Sequence, residues 1–374
     1  MRDIKSLLIL GLVLIFFYSS CTKEANTPSE NVDWQLGPFK KVIAQNPVLQ
    51  PLDSTTFFCP VRQQEVYWES KDVFNPAAVV RNDTLFLIYR AEDKIGKYSG
   101  TSRIGLAYSL DGTNFTRRPE PVLFPDNDDY VNYEWEGGIE DPRIVETSDH
   151  RYILTYTSYD GEYARLFTAE SSDLIHWKKN GPTFAKAYDG LFLDHWSKAG
   201  AIICKKEGDS FIATLINDKY WMYWGDTDLF MATSEDLINW YPILNEDSSL
   251  TSVLKPRDKM FDSRLVESGP PAFITENGIL LLYNGMNLDT GGDPDLPAGT
   301  YASGQALFDL EDPTLLKARS DTHFIYPDQD YEINGQIGNV CFIEGLVAYK
   351  DQWYLYYGTA DSKIAVALAD QMDN

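Results

Sequence analysis

Five copies of one pattern recur between residues 83 and 367, and they limit the possible folds more tightly than any other feature. In each copy a β-branched and aromatic run precedes a second apolar run that closes on a turn. The pairs are 83–90 with 103–109, 151–157 with 164–173, 210–216 with 229–236, 278–285 with 302–308, and 352–358 with 363–367. The first runs start at 83, 151, 210, 278 and 352, an even spacing. Three second runs end in a Ser/Asp turn, at Ser109-Leu-Asp111-Gly112, at Asp173 before Trp177, and at Asp236 before Trp240. No helix of ordinary length is legible beyond the first twenty residues. Radial repetition of short strands suits a propeller, whose edges stay short and protected. The pattern therefore predicts an all-β, five-bladed β-propeller over residues 34–374, one domain, with residues 34–52 supplying the strand that closes the ring. A β-sandwich is the competing architecture, but it gives no reason for a fivefold repeat.

Residues 1–20 read as targeting sequence. Arg2 and Lys5 give a positive start, and Leu7 to Phe17 form an apolar run too short to span a bilayer comfortably. Tyr18-Ser19-Ser20-Cys21 follows, and the segment resembles a bacterial lipoprotein signal, which implies that Cys21 is lipidated after cleavage. The competing reading is an ordinary secretory signal with an incidental cysteine. Residues 21–33 are polar and aperiodic, as a tether is. The expectation is an exported lipoprotein, facing the periplasm or the cell surface, that meets the membrane through its lipid only. Cys59, Cys204 and Cys341 then allow at most one disulfide, and the last two, in apolar runs, read as buried thiols. His150, His176, His195 and His323 are scattered, no Cys/His spacing suggests zinc, and no metal or cofactor is expected. The net charge of −24 argues against nucleic acid as a partner.

The densest polar stretch is Trp135-Glu-Gly-Gly-Ile-Glu140-Asp141-Pro142-Arg143-Ile-Val145, which crowds carboxylates and a guanidinium at the entrance to a strand. Pro142 locks its own φ and is expected to push Asp141 towards extended geometry. Comparable clusters stand at the other repeats: Asn75 before Pro76; Tyr89-Arg90-Ala-Glu92-Asp93; Trp196-Ser-Lys198; Trp224-Gly-Asp226; Glu267-Ser-Gly-Pro; Tyr283-Asn284; Glu344-Gly345; and Thr359-Ala-Asp361. In a propeller such positions converge on one funnel. Carboxylates and amides there can grip vicinal sugar hydroxyls, and an aromatic face can cover a sugar ring. The aromatic content of 14% fits a carbohydrate ligand, although an aromatic-rich β core accounts for most of those rings.

These motifs, in this order, resemble glycoside hydrolase family 130 over nearly all of residues 70–367. The resemblance rests on Asn75-Pro-Ala-Ala78, Leu87-Ile-Tyr-Arg90, Gly105-Leu-Ala-Tyr-Ser-Leu-Asp111-Gly112, Gly138-Ile-Glu-Asp-Pro-Arg143, Ser197-Lys-Ala-Gly-Ala201, Tyr220-Trp-Met-Tyr-Trp-Gly225, Glu267-Ser-Gly-Pro-Pro271 and Tyr357-Gly-Thr-Ala-Asp361. It implies a five-bladed propeller acting on β-mannosides with inversion, with Asp141 as general acid. The family holds phosphorylases and hydrolases. Where the phosphorylases carry a His-Arg pair, this chain has Leu215-Ile-Asn-Asp218; Arg165, Lys178, Lys179 and Lys198 are the nearby cations. Hydrolysis needs a carboxylate base, and the resemblance to the lipoprotein-like mannosidases implies Glu267 and Asp226, with Glu344 in reserve. Asn75, Arg90, Asp93, Arg143, Lys198, Tyr283, Asn284, Glu344 and Asp361 are the expected substrate-binding residues, and Trp135, Tyr223 and Tyr283 the candidate stacking or supporting aromatics. The expected activity is exo-hydrolysis of β-1,2-linked manno-oligosaccharides to mannose. A phosphorylase releasing mannose 1-phosphate and a non-catalytic glycan-binding lipoprotein are the alternatives.

Overall fold

The computed structural model describes residues 34–371. The expected signal segment 1–20, the lipidation site Cys21 and the tether 21–33 lie outside the described residues. The chain is all-β, and its helices among the described residues are single turns at Val131–Glu134, Ala187–Gly190 and Asp330–Ile333.

Five antiparallel meanders follow one another. The first is Asp72–Arg81, Thr84–Glu92, Ser102–Ser109 and Thr116–Arg117. The second is Gly138–Glu146, Tyr152–Tyr159, Ala164–Ser171 and Lys178–Pro182. The fourth opens with Leu265–Ser268 and Phe273–Thr275 and continues through Gly278–Met286, Tyr301–Phe308 and Leu316–Arg319. The fifth is Cys341–Tyr349, Gln352–Thr359 and Lys363–Asp370. Lys40–Lys41 from the start of the chain adds an outer strand to it, pairing with Leu368 and Ala367. Glu332, wholly buried, anchors that strand through Lys41 Nζ at 2.7 Å.

The third meander departs from the sequence expectation. The run 210–216 is not one strand: Ser210–Ala213 pairs back on Cys204–Glu207, and the meander proper continues through Tyr220–Trp224, Leu229–Ser234 and Trp240–Pro242. Between them Asn217 and Asp218 take left-handed φ values of 51° and 61° and close a tight turn. Asn and Asp tolerate that conformation at low cost, so a polar pair interrupts an otherwise apolar run.

Burial is graded across each meander. Gly138–Glu146 and Cys341–Tyr349 are buried along their whole length, whereas the outer strands Lys178–Pro182 and Leu316–Arg319 are short and carry lysine or arginine. Short, charged edges resist pairing with another chain. Neighbouring meanders are bridged at Ser102–Gly138, Ile212–Glu146, Cys204–Phe273 and Tyr301–Val340, and the first strands of the first and fifth pack together. The described strands fall into four sheets rather than one closed sheet.

The Ser/Asp turns prove to be one repeated device. Ser109, Ser171 and Ser234 each accept backbone N–H bonds two and three residues on. Asp111, Asp173 and Asp236 then accept two more from the following turn. In the second and third meanders the turn delivers a tryptophan whose indole N–H returns to the turn, Trp177 to Leu174 O and Trp240 to Leu237 O. Trp240 has no exposed surface and packs in the cluster that contains Trp224 and Phe184. Trp240→Ala should therefore cost about 3–5 kcal/mol, read as a lowered urea midpoint at unchanged slope.

Candidate functional site

The opening strands of three meanders are interrupted at the same point. Pairing slips between Phe74 and Pro76, between Glu140 and Arg143, and between Ile343 and Gly345. The residues freed by these bulges are Asn75, Asp141 and Glu344. A bulge redirects one side chain and bends its strand, so all three leave the ladder and converge. Asp141 is not extended, contrary to the expectation from Pro142: its φ is 48°, and Asn75 matches it at 46°. The bulge imposes a left-handed residue, and Asx side chains accept it. In the fourth meander the opening strand breaks outright after Ser268, leaving Glu267 at its end.

Asp141 is the hub. Its Oδ1 accepts from Asn75 Nδ2 at 2.9 Å and Arg90 Nη1 at 3.0 Å, and Lys198 Nζ stands 3.7 Å from Oδ2. Arg90 also holds Glu92 and Glu140, each at 2.8 Å. Arg143, almost fully buried, donates to Gly269 O at 2.9 Å and Ser268 O at 2.6 Å. It faces Glu344 at 2.9 Å and Glu267 at 4.0 Å. The Glu344 contact is an ion pair without hydrogen-bond alignment: neither Glu344 oxygen has a hydrogen-bond partner, and Asn75 Oδ1 and Glu267 Oε1 also lack one. Buried polar atoms are nearly always satisfied, so four unpartnered oxygens converging here mark a place built for a ligand's hydroxyls. Gly358 belongs to the same design, since a Cβ there would come 2.2 Å from Asn75 Oδ1.

The carboxyl groups are driven in opposite directions. Burial works to raise the Asp141 pKa, but Arg90, Lys198 and the Asn75 amide outweigh it and hold the group well below the usual range. Burial pushes Glu267 up to about 8 against the pull of Lys198 and Arg143, with the charges of Asp226 and Asp141 adding to the rise. Burial also lifts Asp361 to about 7 despite Arg90, and raises Glu344 well above the usual carboxylate range against the pull of Arg143. The site thus keeps Asp141 ionised beside Glu267 and Asp361, which hold protons near neutrality.

The structure brings together Asn75, Arg90, Asp141, Arg143, Lys198, Glu267, Glu344 and Asp361. Asp226 joins them through the fields it shares with Lys198 and Glu267. Three expected residues do other work. Asp93 is consumed by the backbone N–H groups of Ile95 and Thr101 and by Arg103, so it ties a loop. Asn284 bonds Ile343 N and O, stitching the fourth meander to the fifth. Tyr283 donates to Asp262 in a buried cluster with Arg257 and Arg319. Tyr223 is likewise a core ring, bonded to Pro313 O, and Trp135 lies under the Arg62 guanidinium. Two participants lacked an assigned role. Glu92 shares a strand face with Arg90, which strand alternation would have favoured over Asp93. Tyr301 opens the strand after the 287–300 loop, where burial first and then the Glu267 charge raise its phenol pKa; no motif announces it.

Of the other cations considered, Arg165 is paired with Asp160 and Asp194, Lys179 with Asp128 and Glu134, and Lys178 with Glu170 on the outer strand. The three cysteines are free and buried.

Glu267 carries a pH signature of its own. Its folded pKa of about 8 exceeds the ordinary 4.5, so the folded state binds more protons between those values. The sign of linkage makes stability fall as pH rises through that window. Urea midpoints from pH 5 to 9 should decline for the wild type, and Glu267→Gln should flatten the decline.

A family model described as beta-1,4-mannooligosaccharide phosphorylase, of glycoside hydrolase family 130, matches residues 39–373. The chain is 32% identical to the 1,2-beta-oligomannan phosphorylase of Thermoanaerobacter sp. (strain X514), across 89% of this chain and 98% of that one. It is 47% identical to a glycosyl hydrolase of Bacteroides ovatus, with a TM-score of 0.89 over 91% of this chain and 96% of that one. A third relative, at 46% identity and TM-score 0.89 over 92% and 98%, comes from work stating that the family of mannoside phosphorylases contains glycoside hydrolases that target β-1,2 mannosidic linkages in Candida mannan. Motif order, the bulged acidic cluster and a match spanning almost the entire described chain agree: the protein belongs to glycoside hydrolase family 130.

Proposed function

We propose that this chain is an inverting exo-β-mannosidase that hydrolyses β-1,2-linked manno-oligosaccharides and releases mannose, and that its five meanders are the blades of a five-bladed propeller. Asp141 acts as general acid, through a hydroxyl of the bound mannose. Glu267, with Asp226, orients and deprotonates the attacking water. Asn75, Arg90, Arg143, Lys198, Glu344 and Asp361 hold the sugar. Asp141 is an anion in the free protein, so it must gain a proton before it can act as acid; Glu267 and Asp361 are the neighbours that hold one near neutral pH, and loss of that proton leaves Glu267 as the carboxylate base. For an inverting reaction the acid and base stand about 6.5–9.5 Å apart, leaving room for water.

The observation that carries hydrolysis over phosphorolysis is the pairing of the cations. Phosphate needs several unneutralised Arg, Lys or His groups around it. Arg90, Arg143 and Lys198 each already face a carboxylate, and Arg165 faces two. Phosphorolysis is the second reading, favoured by the activity named for the Thermoanaerobacter relative. Export and lipidation at Cys21 belong to the same proposal and rest on the N-terminal sequence alone.

Incubation of the protein with β-1,2-mannobiose, with and without phosphate, separates the readings. Hydrolysis predicts mannose at equal rates in both, first as the α-anomer by NMR. Mannose 1-phosphate formed only with phosphate would sink hydrolysis, and the absence of any turnover would favour a binding role. Asp141→Asn should lower kcat by about 10²–10⁴ with the fold intact, the usual contribution of a positioned acid.

A further inference from the structure

Asp226 is poorly held for a base. It sits at a strand end on a turn, partly exposed, and its carboxylate accepts one hydrogen bond among the described residues, from Trp196 Nε1 to Oδ2 at 2.8 Å. Trp196 is 45% exposed, so the ring is not a core element. The segment that carries it is nevertheless fixed from both sides. Ser197 N donates to Ala164 O, and Ser197 Oγ accepts from Leu166 N in the second meander. Gly225 N donates to Lys198 O, joining the segment to the turn that holds Asp226. Gly225 has a φ of 120°, and a Cβ there would meet Asp228 O at 2.3 Å, so this clasp depends on glycine. Lys198, two residues beyond Trp196, reaches Asp141. One short segment therefore touches both the proposed acid and the proposed base.

We infer that Trp196 is a positioning residue: its indole N–H occupies Oδ2 of Asp226 and fixes the carboxylate so that Oδ1 faces the attacking water. This deepens the hydrolase reading and rests on it. A carboxylate on a free turn samples several rotamers, whereas one tied by a fixed N–H presents a single oxygen at a defined place. Misplacement of a reacting group by about 1 Å costs up to roughly 100-fold in rate. Trp196 makes no proton transfer; it acts through Asp226.

The test is a double-mutant cycle on the full chain in mild detergent, with β-1,2-mannobiose as substrate. Trp196→Phe keeps an aromatic ring and removes the N–H. It should lower kcat roughly 10- to 100-fold, leave KM within about threefold and leave the thermal midpoint within about 2 °C. Added to Asp226→Asn it should lower kcat no further, because groups acting as a unit are non-additive. Additive losses, or a Trp196→Phe enzyme as fast as wild type, would overturn the inference. So would an Asp226→Asn enzyme of undiminished rate. Failure of the hydrolase reading shows separately, as phosphate-dependent mannose 1-phosphate from the unmutated chain, and would remove Asp226 as a base whatever the cycle gives.

Discussion

A guanidinium cut off from water joins three of the five meanders. Arg143 leaves the second, donates to the Ser268 and Gly269 carbonyls of the fourth, and faces Glu344 of the fifth. Burying a charge is expensive unless hydrogen bonds and a counter-charge offset it. Here the partners come from separate stretches of chain, so the charge is stable only when those stretches are assembled. The carbonyls are available because the fourth meander's opening strand breaks after Ser268, and the Glu344 carboxyl faces the guanidinium because the fifth bulges there. The irregularities that expose the site are thus the same ones that satisfy its central cation. Lysine could not replace it: one ammonium cannot reach two carbonyls and a carboxylate in the fixed fork that the guanidinium supplies.

That assembly explains how neighbouring carboxyls come to differ. Asp141 lies where Arg90 and Lys198 converge, and their fields exceed the penalty of burial. Glu267 feels Lys198 and Arg143, and Asp361 feels Arg90 and Lys198, but for both of them burial wins. Asp141 differs in accepting hydrogen bonds directly from Asn75 and Arg90, which favour its charged form. An environment that pushes paired carboxyls apart is how acid and base duties are divided in one pocket. Here the direction is the reverse of the duties proposed, so Asp141 must gain a proton and Glu267 lose one before either can perform them.

The strands were legible because their signal is local. Runs such as 352–358 and 363–367 match strands within a few residues, since apolar and aromatic stretches bounded by turn formers leave few alternatives. The Ser/Asp turns were legible for the same reason. The 210–216 run misled because its strand stops at Ala213, and the Asn217-Asp218 turn just beyond it starts the meander's next strand at Tyr220; hydropathy does not weigh turn chemistry. Site membership was partly legible: Asn75, Asp141 and Glu344 stand beside Pro76, Pro142 and Gly345, the residues that mark their bulges. Asp93, Tyr283 and Asn284 have the right chemistry in the wrong place. Asp93 falls one residue past Glu92, and a period-2 element turns that single step into the opposite face. Tyr283 and Asn284 are neighbours whose partners, Asp262 and Ile343, are distant in sequence. Those contacts exist only in the assembled fold, as does the approach of Tyr301.

Charge balance is the remaining step towards chemistry. Around Asp141 stand three cations, Arg90, Arg143 and Lys198, and six further carboxyl groups, Glu92, Glu140, Asp226, Glu267, Glu344 and Asp361. A neutral sugar beside such a cluster would leave that balance undisturbed, and its hydroxyls could meet the unpartnered oxygens of Asn75, Glu267 and Glu344. A phosphate dianion would have to displace carboxylates from the same cations or force further carboxyls to take up protons. Either adjustment subtracts from its binding free energy. Water carries no such penalty, and it needs one ionised carboxylate and a fixed direction of attack. The surplus of acid over base around Asp141 is therefore the physical ground on which the proposal of water as nucleophile rests.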